Sequence, residues 1–194
     1  MALSYNIVNT KHLKFYKDFP LHDVNFVDII PFLQDKELFG CLIDDLGKLC
    51  QSPNIAAPEA RGFLFAAPLM ITSPKVKNII LLRKKGKLPF NDGDLIGIDI
   101  EKEYGKDQIY FRLSDVAAGV RKGDVIEVTF FDDILATGGT ALGIARGMQA
   151  QKVVVDGVPC SIKITDFVFL VELDVLKGRK LLEGIAPVKA LIHL

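Results

Sequence analysis

Between residues 37 and 49, apolar side chains fall at Leu38, Phe39, Leu42, Ile43, Leu46 and Leu49, the three-and-four spacing that places them on one face of a helix. Such a face has to be covered, and the pattern elsewhere indicates by what. Short apolar runs at 77–82, 125–131, 152–155 and 167–173 are rich in Val, Ile and Phe and are bounded by turn residues, as buried strands are. Helix-like segments separate several of these runs. That alternation predicts an α/β fold with a mostly parallel central sheet flanked by helices, whose ligands bind at the carboxyl ends of the strands. Asp156-Gly157, between the run 152–155 and the segment 158–164, predicts a tight hairpin turn. Phe90-Asn91-Asp92-Gly93-Asp94 mixes Gly with polar residues ahead of the alternating segment 95–100 and reads as a mobile loop or extended arm. No repeat, low-complexity tract or linker interrupts the pattern, so one domain over 1–194 is expected, with the arm at about 84–111.

The 194 residues are 49% apolar, enough for a sizeable single core. Lys and Arg together number 24, as do Asp and Glu, so no overall field recruits nucleic acid or a membrane surface. An anionic partner must then be held by a local cluster. The N-terminus lacks a basic start followed by an apolar core, and no apolar run is long enough to span a bilayer, so a cytoplasmic location is expected. Cys41, Cys50 and Cys160 are odd in number and widely spaced, which fits packing thiols in a reducing compartment.

Chemistry concentrates after the run 125–131, which leads into Asp132-Asp133-Ile134-Leu135-Ala136-Thr137-Gly138-Gly139-Thr140 and then the helix-like 141–150. At a strand–loop–helix junction the first helical turn presents unpaired backbone N–H groups, and the helix dipole adds positive potential, so phosphate is held without any Lys. Gly138 and Gly139 let the backbone approach, and the hydroxyls of Thr137 and Thr140 can donate to the same oxygens. Two adjacent carboxylates would repel that phosphate and need another partner, which a sugar diol or Mg²⁺ supplies. Each dipeptide alone also reads as a solvated strand end or a plain turn.

Two further features point to an anion. Arg83-Lys84-Lys85-Gly86-Lys87 puts four cations within five residues of an otherwise neutral chain; a solvated face is the usual meaning of such a run, and stabilisation of a leaving pyrophosphate is the functional one. Arg61 interrupts a buried stretch and needs water or an anion for its charge.

An apolar strand, Asp-Asp, two apolar residues and Ala-Thr-Gly-Gly-Thr resemble the signature by which phosphoribosyltransferases bind 5-phosphoribosyl-1-pyrophosphate (PRPP). Glu59-Ala60-Arg61-Gly62-Phe63-Leu64-Phe65, residues 83–89 and Glu103-Tyr104-Gly105-Lys106 resemble, in order, segments of the adenine-specific members of that family, and the resemblance runs from about Asp18 to Arg179. It implies that Ala136, Thr137, Gly138, Gly139 and Thr140 cradle the 5-phosphate while Asp132 and Asp133 address the ribose hydroxyls. Arg61, Arg83 and Lys87, with Lys84 beside them, would contact pyrophosphate. Glu103 would be the catalytic residue on a flap, exchanging a proton with the base. Phe26 and Ile134 would clamp the purine, read in part through the backbone at Asn25. Mg²⁺, carried mainly by PRPP, is the implied cofactor, and a homodimer the implied assembly.

Four features depart from the family's usual pattern. Val27 stands where Arg is usual, and Asn25 where an apolar residue is. The arm before Glu103 is longer than usual, and a hairpin over about 152–165 looks inserted. The expectation is therefore a purine-salvage pentosyltransferase converting adenine and PRPP to AMP and pyrophosphate. A 6-oxopurine (hypoxanthine, guanine or xanthine) enzyme and a non-catalytic PRPP-binding regulator are the alternatives. Glu127, a charge within the run 125–131, is expected near that strand's exposed start.

Overall fold

The computed structural model describes residues 12–19, 22, 25–102 and 105–194, and of 101, 102, 105 and 106 the backbone alone. Strands β1 (Lys14–Tyr16) and β2 (Phe26–Asp28) form a small antiparallel ribbon, followed by α1 (Ile30–Leu33) and α2 (Lys36–Leu49). Helix α2 starts where Asp35 accepts a hydrogen bond from Leu38 N, an N-cap, and buries Leu42, Ile43 and Leu46, the face expected from the spacing. There follow β3 (Asn54–Pro58), α3 (Arg61–Thr72), β4 (Asn78–Lys84), the arm strands β5 (Leu95–Lys102) and β6 (Gly105–Arg112), and α4 (Leu113–Ala117). The chain ends with β7 (Val125–Leu135), α5 (Gly139–Gln149), β8 (Lys152–Val155), β9 (Val158–Glu172), α6 (Gly178–Leu182) and β10 (Val188–His193).

The main sheet runs β5-β6-β4-β3-β7-β9-β10, with β8 paired to the front of β9. Strands β3, β4, β7, β9 and β10 are parallel, and the arm is an antiparallel hairpin whose strand β6 pairs with the end of β4. In chain order the parallel strands lie second, first, third, fourth and fifth across the sheet, so the winding reverses between β3 and β7. At such a reversal the loops that leave the two strands diverge and open a crevice at their carboxyl ends. The register sharpens this: β3 pairs with β7 only as far as Ala56↔Phe130, whereas β7 continues along β9 to Leu135↔Glu172. From Asp132 onward, β7 borders the crevice.

Each face of the sheet buries its own apolar cluster. One contains Phe130, Phe167, Phe169, Ile144 and Met148 under α5 and the arm; the other contains Phe32, Phe65, Phe131, Leu42 and Leu46 under α2 and α3. Each such side chain taken from water contributes about 1.5–3 kcal/mol, which is why the crevice can carry costly charges without unfolding the sheet.

Three local features differ from the sequence reading or add to it. The acidic pair lies within β7, because that strand stays paired with β9 beyond residue 131. The run 167–173 is the back half of the 15-residue β9. The central strand β3, Asn-Ile-Ala-Ala-Pro, was not indicated by the pattern at all; its buried Asn54 is satisfied by the Glu127 and Val120 carbonyls and the Val120 N–H. The turn at Asp156-Gly157 has both residues at positive φ (52° and 78°), as a two-residue hairpin of this hand needs. Glu127 is half-exposed near the start of β7, as expected.

Candidate active site

Both acidic residues lie on the part of β7 that borders the crevice, Asp132 at the recess after the strand and Asp133 against Arg61. Asp132 is half-buried and accepts the Asp133 N–H at 2.9 Å; Asp133 is 3% exposed. Burial pushes the Asp132 carboxyl well above the usual carboxylate range, and the neighbouring Asp133 charge adds to the rise. Burial raises Asp133 as well, against the opposing pull of Arg61.

Helix α3 supplies the counter-charge. Its first residue, Arg61, sits on the side of β7 that carries Phe131, and its Nε lies 2.8 Å from Asp133 Oδ2. The contact is an ion pair without hydrogen-bond alignment, so Asp133 Oδ2 is a buried oxygen with no hydrogen-bond donor. A buried acceptor in that condition is costly unless a ligand group completes it. Gly62 lets α3 start close to β3 and to Asp132: a Cβ there would lie 3.2 Å from Pro58 Cδ and 3.4 Å from Asp132 Oδ1.

The loop after β3 also organises the basic cluster. Glu59 accepts from Arg83 Nε at 2.7 Å and from the Lys84 N–H at 3.0 Å. Burial works to raise the Glu59 carboxyl, but these bonds and the charges of Arg83 and Lys87 outweigh it and hold it below its usual value. Arg83 is further backed by the Phe63 ring, 5.9 Å from its guanidinium carbon. Lys84 and Lys87 are exposed beside it. Sequence reasoning gave Glu59 no role, although it stands two residues before Arg61.

The loop from Ala136 to Thr140 forms a recess of about 140 Å³ with Asp132 at its edge, a volume suited to a phosphate group. Gly138 caps α5 at φ 82°, a left-handed conformation that favours glycine. The first amide bonded back within this turn is Leu142 N, to Gly138 O, so the amides before it are the ones a phosphate can use. Thr137 and Thr140 are exposed at the rim. The loop is backed by Gly178 at the start of α6: a Cβ there would overlap the Ala136 carbonyl oxygen, and one on Gly138 would come 2.8 Å from Gly178 O. Gly178 is a second residue that sequence reasoning missed; only its Lys-Gly-Arg setting after an apolar strand marks it.

On the small ribbon, Phe26 is half-buried, with the Arg61 guanidinium 5.5 Å from its ring centroid and Phe19 edge-on at 5.1 Å. Arg61 thus touches both the acidic pair and the aromatic residue. Ile134 packs, half-buried, against the cluster that holds Val27, and Asn25 is exposed. Val27 itself is 4% exposed, so its side chain serves the core. Glu103 lies outside the described residues; the strands on either side of it pair up to Lys102↔Gly105. Among the described residues, Glu172, Asp174 and His193 bring three ligand-type atoms within 4.8 Å, but Glu172 there is bound by Arg179. No helix among the described residues is long and apolar enough to cross a membrane.

No protein-family model matches the chain. It is 35% identical to an adenine phosphoribosyltransferase of Mesoplasma florum over 176 residues, 89% of this chain and 92% of that protein. The crystal structure of the adenine phosphoribosyltransferase from Thermoanaerobacter pseudethanolicus superposes with a TM-score of 0.77 at 32% identity, covering 95% of this chain and 97% of that one. The enzyme from Saccharomyces cerevisiae, solved with adenine and an imino-altritol bisphosphate, gives 0.76 at 31% identity over 97% of this chain and 98% of that one. Similarity of this extent covers both the crevice and the sheet that builds it, and the chain belongs to the adenine phosphoribosyltransferase family.

Proposed function

We propose that this chain is a purine-salvage enzyme that transfers the 5-phosphoribosyl group of PRPP to adenine, giving AMP and pyrophosphate. The observation that carries this reading is the pairing of Asp133 with Arg61 in the crevice beside the phosphate loop. In the reaction the bond from ribose C1 to the pyrophosphate oxygen breaks, a bond from C1 to a ring nitrogen of adenine forms, and the proton of that nitrogen leaves to a base. Positive charge grows on the ribose as the first bond stretches. Asp132 and Asp133 are placed to stabilise that charge, and Arg61, Arg83 and the neighbouring lysines to stabilise the leaving pyrophosphate.

The ligand-free ion pair gives these residues an order of action. Pyrophosphate is a stronger partner for Arg61 than one raised carboxyl, so its arrival draws Arg61 toward itself and frees Asp133 Oδ2 for a ribose hydroxyl. Phe26 offers the adenine ring an aromatic face, and Glu103 takes the proton. Mg²⁺ bound by PRPP would neutralise part of the pyrophosphate charge; the buried donor-less oxygen of Asp133 and the raised carboxyls fit a site that meets a cationic or hydroxyl-rich ligand.

Adenine is favoured over a 6-oxopurine because Val27, buried in the core, does not present its altered side chain to the base. A homodimer through α3 is part of the same reading: Leu64, Met70 and Ile71 are exposed at 44%, 45% and 85% on the helix that begins with Arg61, an apolar face that a second copy would cover. The location proposed is cytoplasmic. The test is pyrophosphate release from PRPP and Mg²⁺ with adenine, hypoxanthine, guanine, xanthine or orotate offered in turn. Turnover with adenine alone is expected; turnover with none of them would favour the regulator.

A further inference from the structure

The longer arm is packed into the body of the protein. Ile98 and Ile100 of β5 are buried in the same cluster as Ile144 and Met148 of α5. The closest approach is at Gly147, where a Cβ would come 2.6, 2.7 and 2.8 Å from Cγ1, Cγ2 and Cδ1 of Ile98. One turn earlier, a Cβ at Gly143 would meet Ile100 Cδ1 at an ordinary 3.5 Å. Ile98 is 6% exposed and branched at Cβ, so its side-chain rotamers are restricted. Glycine within a helix is unfavourable relative to alanine, and here only the close approach of β5 accounts for it. The seam borders an open cleft of about 690 Å³ that runs from Ile98 and Asp99 past Gly147 and Gly143 to Gly139, in the phosphate loop itself.

We propose that Gly147 is a positioning residue for the reaction: it lets β5 seat directly on the helix whose first turn forms the phosphate loop, and so registers the arm that includes Glu103 against bound PRPP. Strand β5 is paired with β6 along its whole length, from Leu95↔Arg112 to Lys102↔Gly105, so a displacement at Ile98 is carried to the end of the ribbon, about 13 Å away. Helix α5 is anchored by the buried Ala141, Ile144, Ala145 and Met148 whereas β5 is the edge strand of the sheet, so relief of the clash falls on β5 and not on the loop about 12 Å along α5 at Gly139. The inference rests on the functional reading above.

The test is Gly147→Ala, measured by steady-state kinetics and by calorimetric titration with PRPP and Mg²⁺. The rate kcat should fall about tenfold or more while the PRPP Kd stays within about threefold of wild type. Adding Ile98→Ala removes all three clashing carbons and should restore several-fold of the lost kcat even though the double variant melts lower; a purely structural role predicts the opposite, because more core has been removed. Gly143→Ala should leave kcat unchanged. A Gly147→Ala rate within twofold of wild type, a PRPP Kd that weakens in step with kcat, or no rescue by Ile98→Ala would each overturn the proposal. Should Gly147→Ala fail to fold, Ile98→Ala alone loosens the seam from the other side, and an unchanged kcat in that variant overturns it equally. Hydrogen exchange keeps this test separate from the functional reading. Even if the wild type is inert with adenine, seating predicts that PRPP slows amide exchange across β5 in the wild type and not in Gly147→Ala, and equal protection in both overturns it.

Discussion

Asp132→Asn separates what the acidic pair costs the fold from what it does for the reaction. The Asp132 carboxyl titrates above its unfolded value because burial and Asp133 disfavour its charge, so the folded protein holds a proton that the unfolded chain releases. Stability is therefore lost as pH rises through the folded pKa, and it is fully present only below the unfolded value of about 3.9. Asn keeps the shape and can still accept the Asp133 N–H, but it has no charge to desolvate. Removing the buried charge at pH 7 raises stability, and each kcal/mol gained moves the Tm of a chain this long by about 2–4 °C. The variant should thus melt above wild type at pH 7, and the gain should shrink toward pH 4. Its kcat should meanwhile fall by about 10²–10³, as when one preorganised electrostatic contact to a transition state is removed. Differential scanning fluorimetry at both pH values, run beside steady-state rates, reads the two effects. A Tm below wild type at pH 7, or kcat/KM within threefold of wild type, would refute the reasoning.

Other residues give independent tests. Glu103→Gln should lower kcat by about 10²–10⁴ with a smaller change in KM, and calorimetric PRPP binding should survive, because the proposed phosphate site is the separate loop from Ala136 to Thr140. Gly178→Ala must displace Ala136 and Leu135, so the KM for PRPP should rise at least tenfold while the adenine KM changes less. Asp166→Ala should cost about 3 kcal/mol in urea denaturation, since fully buried Asp166 accepts from Gln51 N and Thr129 Oγ1 and pairs with Lys189 at 3.3 Å; a loss under 1 kcal/mol would show that water replaces those bonds.

What was legible in the sequence is what local pattern controls. The face of α2 follows from spacing, the hairpin from Asp156-Gly157, and the strand before the acidic pair from a run of Val, Ile and Phe. Strand β3 was invisible because Asn54, two alanines and Pro58 carry little β-propensity; its conformation is imposed by β4 and β7 on either side. Helix α3 was hidden by Pro68 in its interior and by an apolar composition without clear period. In the site, the order strand, Asp-Asp, Gly-Gly marked the strand–loop–helix junction and its recess directly. The contacts of Arg61 with Asp133 and Phe26, the hold of Glu59 on Arg83, and the backing of Ala136 by Gly178 join residues far apart in the chain and arise only from the winding reversal between β3 and β7. The role given to Glu103 came from resemblance alone, and its kinetic variant is the test of it.

The central claim is most directly tested by chromatographic detection of AMP when the purified wild-type protein is incubated with adenine, PRPP and Mg²⁺, with pyrophosphate quantified in the same samples. The account predicts AMP and pyrophosphate in one-to-one ratio, and their loss in the folded Asp132→Asn/Asp133→Asn double variant. Absence of AMP from the wild-type reaction, or undiminished AMP from the double variant, would contradict it.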